Sequence, residues 1–114
     1  MKKFFEMLAA ASCCLLAASA QADTHFGADR HVAKGIPCAS CHGEKNEIAS
    51  PSIEQCTRCH NPDELVKKTA KVEPKNPHTS PHYGNKLDCV LCHVMHDKTE
   101  NYCEQCHKFD FKVP

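Results

Sequence analysis

Apolar residues crowd the first part of this chain and thin out afterwards. From Phe4 to Ala18 the run is mostly apolar behind the basic Met1-Lys2-Lys3, and Ala20-Gln21-Ala22 follows with the small-x-small pattern of a cleavage site. A membrane-spanning helix needs about 20 consecutive apolar residues, whereas this run is shorter and carries Glu6. Residues 1–22 therefore read as a cleaved secretory leader, which takes Cys13 and Cys14 with it. No second apolar run follows, so residues 23–114 are expected to form one exported, soluble domain without stable membrane insertion.

One later segment carries a full set of helix signals. In Asn61-Pro62-Asp63-Glu64-Leu65-Val66-Lys67-Lys68-Thr69-Ala70, Asn61 is an N-cap and Pro62 takes the first helical position. Acids then fill the first turn and lysines come later, each matching the sign of the helix dipole. From Val72 to Pro81, Pro74, Pro77 and Pro81 forbid a continuing helix and predict an extended or turning connector. The remaining spacers are short and rich in Gly, Pro, Ser and Asn. They predict a mostly irregular fold with a few short α-helices and almost no sheet.

Composition sharpens this picture. Leu, Ile, Val and Phe make up about 16% of residues 23–114, below the roughly 20% that marks a chain unable to build its own core. The polypeptide needs something large and apolar to wrap. The whole chain has 14 basic and 14 acidic side chains, and loss of Lys2, Lys3 and Glu6 with the leader leaves it near neutral. That balance gives no nucleic-acid footprint. Lys67, Lys68, Lys71 and Lys75 form a weakly basic run, which is a solvated face or a docking patch for an acidic partner.

Four pentapeptides supply the missing bulk. Cys38-Ala39-Ser40-Cys41-His42, Cys56-Thr57-Arg58-Cys59-His60, Cys89-Val90-Leu91-Cys92-His93 and Cys103-Glu104-Gln105-Cys106-His107 each read C-x-x-C-H, the attachment signature of c-type haem. Two thiols one turn apart reach the two vinyl groups on one edge of a porphyrin, and the next residue places an imidazole under the iron. Zinc knuckles and a disulfide framework are the rival uses of eight thiols. Four repeats, each ending in His and together using every cysteine after residue 14, favour four covalent haems c. Export agrees, since this attachment occurs outside the cytoplasm. The discs would also provide the apolar surface the chain lacks.

Four irons present eight axial positions, of which His42, His60, His93 and His107 fill four as proximal ligands. His31, His78, His82 and His96 are the candidates for the other four, with His25 left over in the N-terminal stretch. Met95 competes in principle, but it sits beside His96 and packing is its expected role. His31 and His82 each stand seven residues before a motif, which suggests that they return to the first and third haems. His78 is then left for the second haem, with an exchange of His78 and His82 between the second and third haems left open. His96, three residues from His93 on one turn, cannot share its iron and is directed to the fourth.

The region from His31 onward resembles the small periplasmic tetrahaem cytochromes c, and especially the N-terminal haem domain of flavocytochrome c fumarate reductases. The resemblance rests on the four motifs, on His-x6-C-x-x-C-H, on Cys89-Val90-Leu91-Cys92-His93-Val94-Met95-His96, and on the tail from Cys103 through Phe109-Asp110-Phe111-Lys112-Val113-Pro114. It implies a bis-histidine tetrahaem protein of little regular structure, with a quasi-linear haem chain, working in anaerobic respiration. Its implied donor is a quinol-oxidising membrane cytochrome. Its implied acceptor is a terminal reductase such as a separate flavoprotein fumarate reductase subunit, because the flavin domain that follows this tail in the fused enzymes has no counterpart before Pro114. An electron carrier rather than an enzyme is expected. The rival is a multihaem reductase of a small oxidant, which requires an iron with an open position. With irons about 10 Å apart in an effective dielectric of 20, each added charge shifts its neighbour by about 1.7 kcal/mol. Reduction should then spread over a broad range of low potentials.

Overall fold

Ser52 and Asn61 start two short helices by taking up backbone N–H groups that would otherwise lack partners. The computed structural model describes residues 25–114, so the expected leader lies outside the described residues. Four α-helices occur: α1 Gly27–Ala33, α2 Ala39–His42, α3 Ile53–Cys56 and α4 Pro62–Lys68. Two 3₁₀ turns follow at Cys89–Leu91 and Tyr102–Gln105. Among the described residues the only β pairing is an isolated bridge between Ser80 and Gly84. The mostly irregular architecture expected from the spacers is what the structure has.

Side chains mark the start of three of the four helices, α2 being the exception. Asn61 Oδ1 accepts from the N–H groups of Asp63 (2.9 Å) and Glu64 (3.3 Å), a cap worth about 1 kcal/mol. Helix α4 ends near the expected boundary, with Thr69 as its C-cap. At α3, Gln55 Oε1 accepts from the Ser52 N–H at 2.8 Å while Ser52 Oγ accepts from the Glu54 N–H at 3.4 Å. Helix α1 stands apart from any pentapeptide, and the spacing around His31 gave no sign of it. The Asp29 carboxylate accepts from the Phe26 N–H at 3.0 Å, and the Ala28 N–H donates to the Met95 carbonyl at 2.8 Å. The second bond is tertiary, which is why a local reading missed this helix.

Packing among the elements is sparse. Helix α3 lies between α2 and the 3₁₀ turn at Cys89–Leu91. Helix α1 presses on the segment before His96, where a Cβ at Gly27 would sit 2.8 Å from Met95 Sδ. A larger residue there would have to displace the flexible end of the Met95 side chain. Gly27 is the one buried residue among those described, and no apolar side chain is buried. Val32 and Tyr83 are about half exposed, at 52% and 46%.

A chain of this length without a buried apolar side chain has too little hydrophobic stabilisation to offset its conformational entropy. Chain expressed without haem attachment is therefore expected to show weak helical circular dichroism and no cooperative thermal transition. The haem-loaded protein should melt cooperatively. A cooperative transition in haem-free chain would contradict this account of the core.

Candidate functional site

The four pentapeptides share one backbone turn. In each, the first cysteine carbonyl accepts from the N–H of the second cysteine, at 3.1 to 3.2 Å, and from the N–H of the histidine, at 2.8 to 2.9 Å. Residues i, i+3 and i+4 thereby share one face, which brings two thiols and one imidazole together. Cys38, Cys41, Cys56, Cys59, Cys89, Cys92, Cys103 and Cys106 all carry free thiols. Burial, followed by the neighbouring Cys89, pushes the Cys56 thiol up to about 12, and burial also raises Cys89 and Cys103. These sulfurs are protonated at neutral pH when no other group is bound. Cys89 neighbours Cys56, and α3 packs against the 3₁₀ turn that begins at Cys89, so the second and third attachment turns are adjacent.

The other histidines face the motif histidines one to one. Ring centres are 6.1 Å apart for His31 and His60, 6.0 Å for His42 and His96, 6.3 Å for His78 and His93, and 6.1 Å for His82 and His107. An imidazole nitrogen lies about 2 Å from a first-row metal it binds and the ring centre about 1 Å further, so two rings on opposite sides of one metal stand about 6 Å apart. All four gaps have that width. The interplanar angles differ: 81° for His31–His60, 32° for His42–His96, 7° for His78–His93 and 34° for His82–His107. His25 instead lies 4.7 Å from Phe26.

The set of eight histidines is the one proposed from the sequence, but the partners are not. His31 was expected to return to the first motif and faces His60 of the second. Its place in the last turn of α1 explains this, because Nδ1 is 2.7 Å from the Gly27 carbonyl of its own helix and the ring projects towards the loop after α3. His78 meets His93 of the third motif rather than His60. His82, at the tip of a turn closed by two Ser80–Gly84 backbone bonds, meets His107 rather than His93. His96 reaches back to His42 in the first motif rather than on to the fourth, drawn there by the Ala28–Met95 bond. His93 and His96 face different rings, as their shared turn demands.

Ring orientation is set by bonds at the far nitrogen. His42 Nδ1 is 2.7 Å from the Ile48 carbonyl, and His78 Nδ1 is 3.0 Å from Thr69 Oγ1. Such partners hold the proton on Nδ1 and leave Nε2 free to bind a metal. Burial lowers the pKa of both His78 and His93, which keeps them in the neutral, ligating form. Thr69 and Asn76 escaped the sequence reading. The available signal was Asn76-Pro77-His78, an Asx-turn pattern immediately before a candidate ligand.

Among the described residues, no three His, Cys, Asp or Glu side chains converge as a metal held by protein alone would require. The nitrogen donors come in opposed pairs, and each pair has two thiols one turn away. The donor set fits a planar macrocycle that supplies the equatorial nitrogens, is fixed at one edge by the sulfurs and is clamped on both faces by imidazoles. A chain built in this way is a c-type cytochrome, with haem held covalently through its cysteines. It belongs to the cytochrome c3 family, whose sequence profile matches residues 30–108. It is an electron-transfer haem protein and not itself a catalyst.

The acrylate reductase cytochrome subunit of Shewanella woodyi is 38% identical, over 97% of this chain and 96% of that protein. A fumarate reductase (cytochrome) of Shewanella frigidimarina is 40% identical over 76% of this chain and 16% of its own length. The probable fumarate reductase Ifc3 of the same species is 29% identical over 98% of this chain and 19% of its own length. The chain thus spans nearly all of the first relative and under a fifth of the other two. No solved structure matches it.

Double substitutions test the pairing. His31→Ala combined with His60→Ala should disturb one haem, whereas His31→Ala combined with His42→Ala should disturb two, counted as irons lost from the low-spin ferric signal. One disturbed iron in the second variant would restore the pairing expected from the sequence.

Proposed function

We propose that this chain carries four haems c, each clamped by two histidines, and works in the periplasm as the electron-delivering subunit of a respiratory reductase. His42 and His96 would hold the first haem, and His31 and His60 the second. His78 and His93 would hold the third, and His82 and His107 the fourth. When bound, the haems supply one-electron redox chemistry. The chain contributes the spacing, through attachment turns that are adjacent at Cys56 and Cys89, and a ligand turn, His93 to His96, shared by the first and third sites.

The observation that carries this reading is the one-to-one match of eight imidazoles at 6.0–6.3 Å. Every motif histidine has an opposing ring, so no axial position remains for a substrate. That argues against the rival, a multihaem reductase with an open iron. Among the described residues no helix is long and apolar enough to cross a membrane, in keeping with a periplasmic carrier reduced by a quinol-oxidising membrane cytochrome. For the acceptor, the near full-length similarity to an acrylate reductase cytochrome subunit supports a separate flavoprotein partner. The fumarate reductase relatives support the same class of oxidant, an α,β-unsaturated carboxylate reduced by two electrons and two protons.

Rapid mixing tests this division of labour. The purified chain, reduced with dithionite, is expected to stay reduced in excess acrylate or fumarate and to be reoxidised once the flavoprotein fraction of its own periplasm is added. Prompt reoxidation by either acid alone would place a substrate site on this chain and overturn the proposal.

A further inference from the structure

The end of helix α4 is connected to His78 through side chains. Thr69 Oγ1 lies 2.7 Å from the Leu65 carbonyl, 2.7 Å from Asn76 Oδ1 and 3.0 Å from His78 Nδ1. The Asn76 amide is oriented without ambiguity, because its Nδ2 donates to the Val66 carbonyl at 2.8 Å and its Oδ1 accepts the His78 backbone N–H at 3.0 Å. Thr69 has a single hydroxyl proton, and two oxygen acceptors at 2.7 Å compete for it. The lone pair of Oγ1 is therefore what faces the His78 ring, so Nδ1 carries the ring proton and donates. That fixes the tautomer with Nε2 unprotonated, on the side of His93.

This arrangement differs from those at His31 and His42. The Nδ1 atoms of those two residues meet the peptide carbonyls of Gly27 and Ile48, which a side-chain substitution cannot remove. At His78 the acceptor is a hydroxyl, weaker than a carbonyl, and a single substitution deletes it. The pair it orients is also the one with nearly parallel rings, at 7°. Parallel planes give a low-spin ferric iron a rhombic magnetic signal, whereas the 81° pair at His31–His60 gives a strongly anisotropic one. The third site is thus separable by spectroscopy.

We infer that Thr69, held in place by Asn76, is a positioning residue that sets the tautomer, plane and electron-donating strength of His78, and with them the reduction potential of the third haem. The inference rests on the reading of His78 and His93 as ligands of one iron. The general physics is that a partner at the far nitrogen tunes a metal-bound imidazole.

The experiment uses the haem-loaded chain and compares wild type, Thr69→Val and Thr69→Ser by electron paramagnetic resonance and by redox titration. In wild type, four low-spin ferric signals are expected. Thr69→Val should alter the g values of the most rhombic signal and shift the potential at which that signal appears in the titration, leaving the g values of the strongly anisotropic signal untouched. Thr69→Ser, which keeps the hydroxyl, should restore both. Four signals in wild type with no change in Thr69→Val would overturn the role of Thr69, and so would equal changes in the two variants. Fewer than four low-spin signals in wild type would overturn the underlying ligand reading instead. A test without substitution is the reduced, diamagnetic wild type, in which the His78 Nδ1 proton should exchange slowly and show a nuclear Overhauser effect to Thr69. A rapidly exchanging proton without that contact would also contradict the inference.

Discussion

The fold depends on imidazoles held in facing pairs across a gap one metal wide. No apolar side chain is buried among the described residues, so ordinary hydrophobic packing cannot be what brings distant segments together. The pairs connect Gly27–Ala33 to the loop after α3, the Ser80–Gly84 turn to the last attachment turn, and residue 96 to residue 42. Each connection leaves between its rings a gap of the width that the proposed haem iron would fill. Secondary structure is correspondingly reduced to short helices and turns around the paired histidines.

Of the four pairs, His42–His96 has the widest structural consequence. Each of the others joins residues within one half of the chain, whereas this pair joins the two halves. His96 shares a turn with His93, and the N-terminus of α1 bonds to the Met95 carbonyl beside it. Gly27 packs against the Met95 side chain at this contact. Helix α1 therefore bears on two pairs: His31 near its C-terminal end faces His60, and its N-terminal end bonds to Met95 beside His96, which faces His42. Helix α4 meets the His78 ring through Thr69 and Asn76.

Much of this was legible in the residues themselves. The C-x-x-C-H repeats announced the turns, Asn61-Pro62 announced α4, the prolines after Val72 announced its end, and the count of histidines selected the eight that pair. The pairing was not legible. Spacing rewards the nearest partner, and His31 is nearest in sequence to the motif that follows it, yet its helix turns it elsewhere. That helix is stabilised by a bond to Met95, a contact that no local pattern encodes. Similarly, His96 is directed by the element it packs against and not by the motif nearest in sequence.

The most direct measurement is an anomalous-scattering map at the iron edge from crystals of the haem-loaded protein. The account predicts four iron peaks, one midway between each of His31–His60, His42–His96, His78–His93 and His82–His107. An iron between His31 and His42, an iron facing Met95 sulfur, or an iron with one side open to solvent would contradict it.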